Sequence, residues 1–152
     1  MTRRGTDALV VSEARRWIGT PYRHQGSARG IGCDCLGLLR GVWRSVVGEE
    51  PLPVPPYTAD WAEWRADEPL LSAAERLLDR QADAAGPGTV LMFRWVAGAA
   101  VKHCGIMTTP DAMVHAYSGI GVVESPLTPS WRRRVVAPFA FPRTTGPRRH
   151  DP

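Results

Sequence analysis

The feature that most constrains the fold is a change of hydrophobic period at Gly86-Pro87-Gly88. Before it, apolar residues recur at helical spacing. After it come short runs rich in β-branched and aromatic residues, separated by turn signals. Helices first and strands afterwards is an α+β order, without the alternation a parallel sheet requires. At 152 residues the chain has room for one domain of ordinary size. The expected layout is a single domain over 1–143 and a flexible tail over 144–152, which holds Pro147 and Pro152.

In the first half, Val10, Ala14, Trp17 and Ile18 mark a helix from Thr6 to Gly19, with Thr6 or Asp7 as N-cap and Gly19 as terminator. A glycine-rich segment, Thr20 to Gly32, then runs into the clearest helix of the chain. There Leu38, Val42 and Val46, and also Leu39, Trp43 and Val47, repeat every fourth residue. Two glycines inside that helix, Gly37 and Gly41, cost about 1 kcal/mol each against alanine, so close packing against another element is expected there. Glu50 to Tyr57 form a proline-rich crossover, Thr58 caps a short turn through Trp61 and Trp64, Leu70, Ala74, Leu77, Leu78 and Gln81 mark a third helix, and the helical half ends near Ala85. Strands are expected at Val90–Val96, His103–Thr108, Ala112–Ala116, Gly121–Glu124 and Arg134–Phe141. Turns at Pro110-Asp111 and Ser118-Gly119 pair successive strands as antiparallel hairpins.

Composition narrows the function. No stretch reaches the ~18 apolar residues of a membrane-spanning helix, and the N-terminus has no secretory signal pattern. The net charge of +4 is spread along the chain, and Arg132 to Arg134 form its one real run. No aromatic residues interleave with these arginines as in a single-strand binder, so nucleic acid is not an expected partner. The run reads as a solvated strand end, with a wall polymer or a protein partner as alternatives. Three cysteines cannot form a closed disulfide framework and are expected as thiols.

Cys35 falls in the first turn of the strongest helix, where unpaired N–H groups and the helix dipole lower a thiol's pKa. The same groups can face the oxyanion formed when a thiolate attacks a carbonyl. His103 starts a strand and alternates with Gly105 and Met107, while Cys104 and Ile106 point the other way. His115 lies on the next strand and can stand beside His103, though the register is open. These are a nucleophile, a base and an orienting group: Cys35 attacks, His103 takes and returns the proton, and His115 fixes the ring tautomer of His103. The alternative for each is a packed core residue. Cys33, Cys35, His103 and Cys104 also allow a zinc reading, but C-x-C with His-Cys is a weak spacing and alternation separates His103 from Cys104, so no metal or cofactor is expected.

Gly19-Thr20-Pro21-Tyr22, Asp34-Cys35-Leu36-Gly37-Leu38, His103-Cys104-Gly105-Ile106 and His115-Ala116, in that order, resemble the NlpC-type cysteine peptidases of bacterial cell walls. The resemblance runs from about Ala8 to Phe141. It implies a papain-like fold, with N-terminal helices packed on an antiparallel sheet of about five strands. It implies that Cys35 is the nucleophile, His103 the base and His115 the third member of the triad. Tyr22 and Asp34 are then substrate-binding residues near the free amine of a peptide stem; a plain helix cap is the other reading of Asp34. The implied substrate is peptidoglycan, cut between D-γ-glutamyl and a diamino acid. Leu36 stands where most relatives carry serine, and Thr89 where they carry aspartate. The proline-rich crossover and the finish Trp131-Arg132-Arg133-Arg134 are similar to the branch found in tails of bacteriophages and gene transfer agents. That branch implies tail-tip or baseplate partners and a protein made in the cytoplasm without a signal peptide, then carried in the particle. A non-catalytic tail-tip adaptor keeping the same fold is the contrasting reading.

Overall fold

The computed structural model describes residues 2–51, 68–82 and 86–143. The expected turn through Trp61 and Trp64, most of the proline-rich crossover, the close of the helical half near Ala85 and the tail over 144–152 lie outside the described residues.

Helix α1 spans Arg3–Arg16. It begins upstream of the expected cap because Thr2 Oγ1 accepts the Gly5 N–H at 3.0 Å, while Thr6 is buried. It ends at Arg16 with Trp17 as C-cap, short of the expected terminator, and the turn that follows closes at Gly19, whose φ of +91° lies in the left-handed region. The glycine-rich segment folds into a small hairpin of β1 (Ser27–Ala28) and β2 (Gly32–Cys33). Helix α2 follows at Cys35–Val46, and both of its internal glycines prove to be sites of close approach. A Cβ at Gly41 would lie 2.0 Å from the Trp17 ring, and one at Gly37 would lie 1.7 Å from the Gly26 carbonyl oxygen.

Helix α3, Pro69–Leu77, is shorter than its apolar spacing predicts. Leu78 is extended, and Asp79–Arg80 form a short strand β3 against the sheet edge. Among the described residues the sheet therefore has six strands rather than about five. Its other members are β4 (Thr89–Arg94), β5 (Val101–Thr109), β6 (Ala112–Tyr117), β7 (Gly121–Pro126) and β8 (Val135–Ala140), in the order β3-β8-β4-β5-β6-β7. The run β4 to β7 is the expected antiparallel meander. β8 instead returns to pair with β4 on the far side.

That return passes through α4, Pro129–Arg133, where a strand end was expected. Thr128 caps it by accepting the Trp131 N–H, and proline opens it. Nor are the arginines around it merely solvated. Arg132 donates to the Leu127 and Pro110 carbonyls and to Asp111, and Arg134 donates to the Trp95 carbonyl and to Ser130.

Strand alternation divides the apolar residues between the two faces. Val90, Met92, Cys104, Ile106 and Val114 join Val10, Ala14, Trp17, Leu38, Val42 and Leu70 from the helices in the main core. Leu91, Phe93, Met107 and Met113 form a second cluster with Leu127, against which Trp131 of α4 packs.

Candidate active site

Asp34 sets the position of α2. Its Oδ1 accepts the Gly37 N–H at 2.8 Å and its Oδ2 accepts the Gln25 N–H at 2.8 Å. One buried carboxylate therefore caps the helix and pins the preceding loop to it. Gln25 takes a φ of +63°, a conformation that non-glycine residues rarely adopt and that this bond helps hold. Cys35 follows at the first helical position. In this turn the helix geometry leaves its own N–H and that of Leu36 without intrahelical acceptors.

The base comes from β5. Phe93 pairs with His103 and Arg94 with Val101, so the register steps over Lys102. Such a bulge re-aims the neighbouring side chain. The Lys102 carbonyl lies 3.8 Å from Cys35 Sγ, and the ring of His103 hydrogen-bonds the thiol. Behind it, His103 Nε2 lies 2.9 Å from His115 Nδ1. The Cys35-facing nitrogen of His103 is therefore Nδ1. The hairpin register, open in the sequence, sets Ile106 opposite Val114, and it places both histidines on one face. Cys35, His103 and His115 come together as the sequence reading anticipates.

The electrostatics follow from this packing. The Cys35 thiol is held well below its ordinary pKa, first by a hydrogen bond from Cys104 and then by the hydrogen bond and charge of His103, against the opposing effects of burial and Asp34. Cys104 moves the opposite way, raised by its bond to Cys35 and by burial, and remains the donor. Its Sγ also lies 3.4 Å from the Cys35 carbonyl. Burial first, and the nearby charge of His103 second, push His115 down to about 4. Cys33 is buried in the main core with its thiol pushed up to about 12 by burial, then by Asp34 and Cys35, which makes it inert.

Tyr22 is half-buried beside the cysteine, bridged to Cys33 through the backbone. Burial, followed by the charges of Cys35 and Asp34, pushes its phenol up to about 12, so it stays a neutral donor. Among the described residues no three His, Cys, Asp or Glu side chains converge as metal ligands.

Four further contributors had no catalytic role assigned from sequence, where Cys104 entered only in the zinc reading and Trp131 only in the resemblance. Cys104 meets Cys35 because α2 lies over the main-core face of β5. Trp95 stacks on His103 with centroids 5.1 Å apart, and Trp131 does so at 5.6 Å. Ser125 Oγ lies 2.9 Å from His115 Nε2.

The sequence profile of the NlpC/P60 family matches residues 19–139, a span that includes every residue of this site. The chain belongs to the NlpC/P60 family. Among curated proteins it is similar to a gamma-DL-glutamyl hydrolase of Bacillus subtilis strain 168, at 26% identity over 143 residues. That match covers 93% of this chain and 31% of the hydrolase. Among solved structures, the NlpC/p60 domain of the peptidoglycan hydrolase SagA superposes with a TM-score of 0.61 at 24% identity, covering 89% of this chain and 98% of that one. A lipoprotein-like NLP/P60 protein of Staphylococcus aureus superposes with a TM-score of 0.60 at 19% identity, covering 92% of this chain and 42% of that one. The mixed architecture of helices and antiparallel sheet in this NlpC/P60 chain is thus shared with those structures.

Proposed function

We propose that the chain is a thiol endopeptidase of the bacterial cell wall, hydrolysing the bond between D-γ-glutamyl and a diamino acid in peptidoglycan stem peptides. The observation that carries this reading is the continuous relay from Cys35 through His103 to His115 at the start of α2, with 2.9 Å between the two imidazoles. The name of one relative, a gamma-DL-glutamyl hydrolase, fits the bond, and that of another, a peptidoglycan hydrolase, fits the polymer.

In this mechanism the Cys35 thiolate adds to the γ-carbonyl carbon, and the oxyanion forms against the N–H groups at the start of α2. The His103 imidazolium gives its Nδ1 proton to the departing amine as the C–N bond breaks, leaving a γ-glutamyl thioester on Cys35. A water, deprotonated by the now neutral His103, adds to the thioester. Collapse expels the thiolate, frees the γ-glutamyl carboxylate and restores the ion pair. His115 accepts from His103 Nε2 throughout. Tyr22 donates to the substrate near its free amine, and the negative charge of Asp34 attracts that amine while its oxygens hold the loop in place.

As its setting we propose the tail of a phage-like particle, with tail-tip or baseplate proteins as partners; the sequence resemblance of the crossover and the Trp131 to Arg134 finish is the support. Co-sedimentation with purified tail particles tests this, and a protein found only free in solution speaks against it. For the chemistry, the test is mass spectrometry of L-Ala-D-γ-Glu-diaminopimelate after incubation with the protein. The reading requires release of the diamino acid from L-Ala-D-Glu. An intact peptide in reducing buffer, or a cut at the alanyl bond, would overturn it.

A further inference from the structure

The relay leading away from Cys35 does not stop at His115. Its Nδ1 lies 2.9 Å from His103 Nε2 and its Nε2 lies 2.9 Å from Ser125 Oγ. Only 2% of His115 is exposed. Among the described residues, the titratable groups facing it are His103 from β5 and Tyr117 of its own strand, with Trp131 of α4 packed edge-on. Desolvation there keeps the ring neutral near pH 7.

A neutral imidazole has one N–H and one lone pair, so the two hydrogen bonds of His115 must run in opposite senses. When Cys35 is a thiolate and His103 an imidazolium, both His103 nitrogens are donors. His115 Nδ1 must then accept, its single proton must sit on Nε2, and the Ser125 oxygen must accept that proton's hydrogen bond. In the opposite arrangement His115 Nδ1–H donates to His103 Nε2. The His103 proton is then confined to Nδ1, facing Cys35, and the ring has no lone pair with which to accept one there.

We propose that Ser125 is a positioning residue of this site: its hydroxyl holds His115 in the Nε2–H tautomer, so that His115 presents a lone pair to His103 and stabilises the thiolate–imidazolium pair. This rests on the reading of Cys35 and His103 as nucleophile and base. Ser125 reaches His115 because Met113 pairs with Ser125 and His115 with Val123, which puts His115 and Ser125 diagonally adjacent on one face of β6 and β7. Ser125 lies partly buried on the edge strand β7, and a serine hydroxyl rotates to suit its partner, so its oxygen can accept from His115.

The experiment pairs a direct reading of the tautomer with the titration of Cys35, using the protein, Ser125→Ala and Ser125→Thr. Long-range 1H–15N spectra report which ring nitrogen of His115 carries the proton, without any substrate. The wild-type chain and Ser125→Thr are expected to show Nε2–H. Ser125→Ala is expected to shift His115 toward Nδ1–H, and to raise by about one unit the pH at which Cys35 alkylation reaches half its limiting rate. One unit is a tenfold loss of thiolate at low pH, or about 1.4 kcal/mol. Nδ1–H in the wild-type spectrum would overturn the inference, as would a Ser125→Ala protein with unchanged tautomer and unchanged profile. If the tautomer is as stated but stem peptides are not cut, the function proposed above fails and the positioning role stands.

Discussion

Gly37→Ala perturbs the joint between the loop and the helix that presents Cys35. The new Cβ would lie 1.7 Å from the Gly26 carbonyl oxygen, 2.8 Å from its carbon and 3.1 Å from Asp34 Oδ1. Contact distances near 3.5 Å mean the Gly26 peptide must retreat by roughly 1.5 Å or more. That peptide is backbone, and its oxygen accepts the Asp34 N–H at 3.3 Å, so the retreat drags on the capping residue. Overpacking of this kind costs about 1–3 kcal/mol, against a gain of about 1 kcal/mol from replacing glycine in a helix interior. A 1.7 Å clash with backbone belongs at the upper end of that range, so a net loss of about 2 kcal/mol follows, together with slower alkylation of Cys35 at pH 6. Gly41→Ala is the control in the same helix. Its Cβ would meet the Trp17 ring at 2.0 and 2.3 Å, so the stability loss is similar, but Trp17 lies in the main core and the Cys35 alkylation rate is retained. Urea midpoints at constant slope give the stabilities. A Gly37→Ala protein as stable as the parent, or more stable, would refute the reasoning, because propensity would then have outweighed a clash that is not there.

Three other outcomes are expected. Cys104→Ala removes the thiol that donates to Cys35, so the Cys35 titration moves upward and its alkylation slows at low pH; an unchanged profile would place the lowered pKa on His103 alone. His115 is depressed to about 4 from 6.5. Between those values the unfolded chain binds the extra proton, so the contribution is complete above 6.5 and is lost as pH falls toward 4, at up to ~1.4 kcal/mol per unit. Urea midpoints measured from pH 7 to 4 should show that loss, and His115→Asn should remove it. Asp34→Ala loses the cap on Gly37 and the bond to Gln25, both 2.8 Å, for about 1–3 kcal/mol in denaturant unfolding. A loss below about 0.5 kcal/mol, the usual size for an ordinary surface substitution, would contradict the double role.

The parts of this molecule that could be read in advance are those written in local pattern. Fourfold apolar repeats located α2, the cost of Gly37 and Gly41 foretold their close contacts, and period-two alternation correctly separated His103 from Cys104. The rest depends on register and return paths, which local pattern does not carry. β3 has two residues and therefore no period to detect. Ser125 reaches His115 only through the pairing of β6 with β7. Trp131 arrives over His103 because Thr128-Pro129 starts a helix within what otherwise reads as a strand approach; Thr-Pro ahead of Ser130 and Trp131 was the available signal. Cys104 was assigned the right face, but its meeting with Cys35 depends on where α2 crosses β5, and nothing along the chain encodes that crossing locally.

The central claim is that the start of α2, with His103, holds Cys35 as a reactive thiolate. The direct measurement is the rate of Cys35 alkylation by iodoacetamide from pH 4 to 10, followed by peptide mass spectrometry, for the protein and for His103→Ala. The account predicts a half-rate pH well below the ordinary thiol value of about 8.5 and a rise of that midpoint when His103 is removed. A rate that climbs only near 8.5 in both proteins would contradict it.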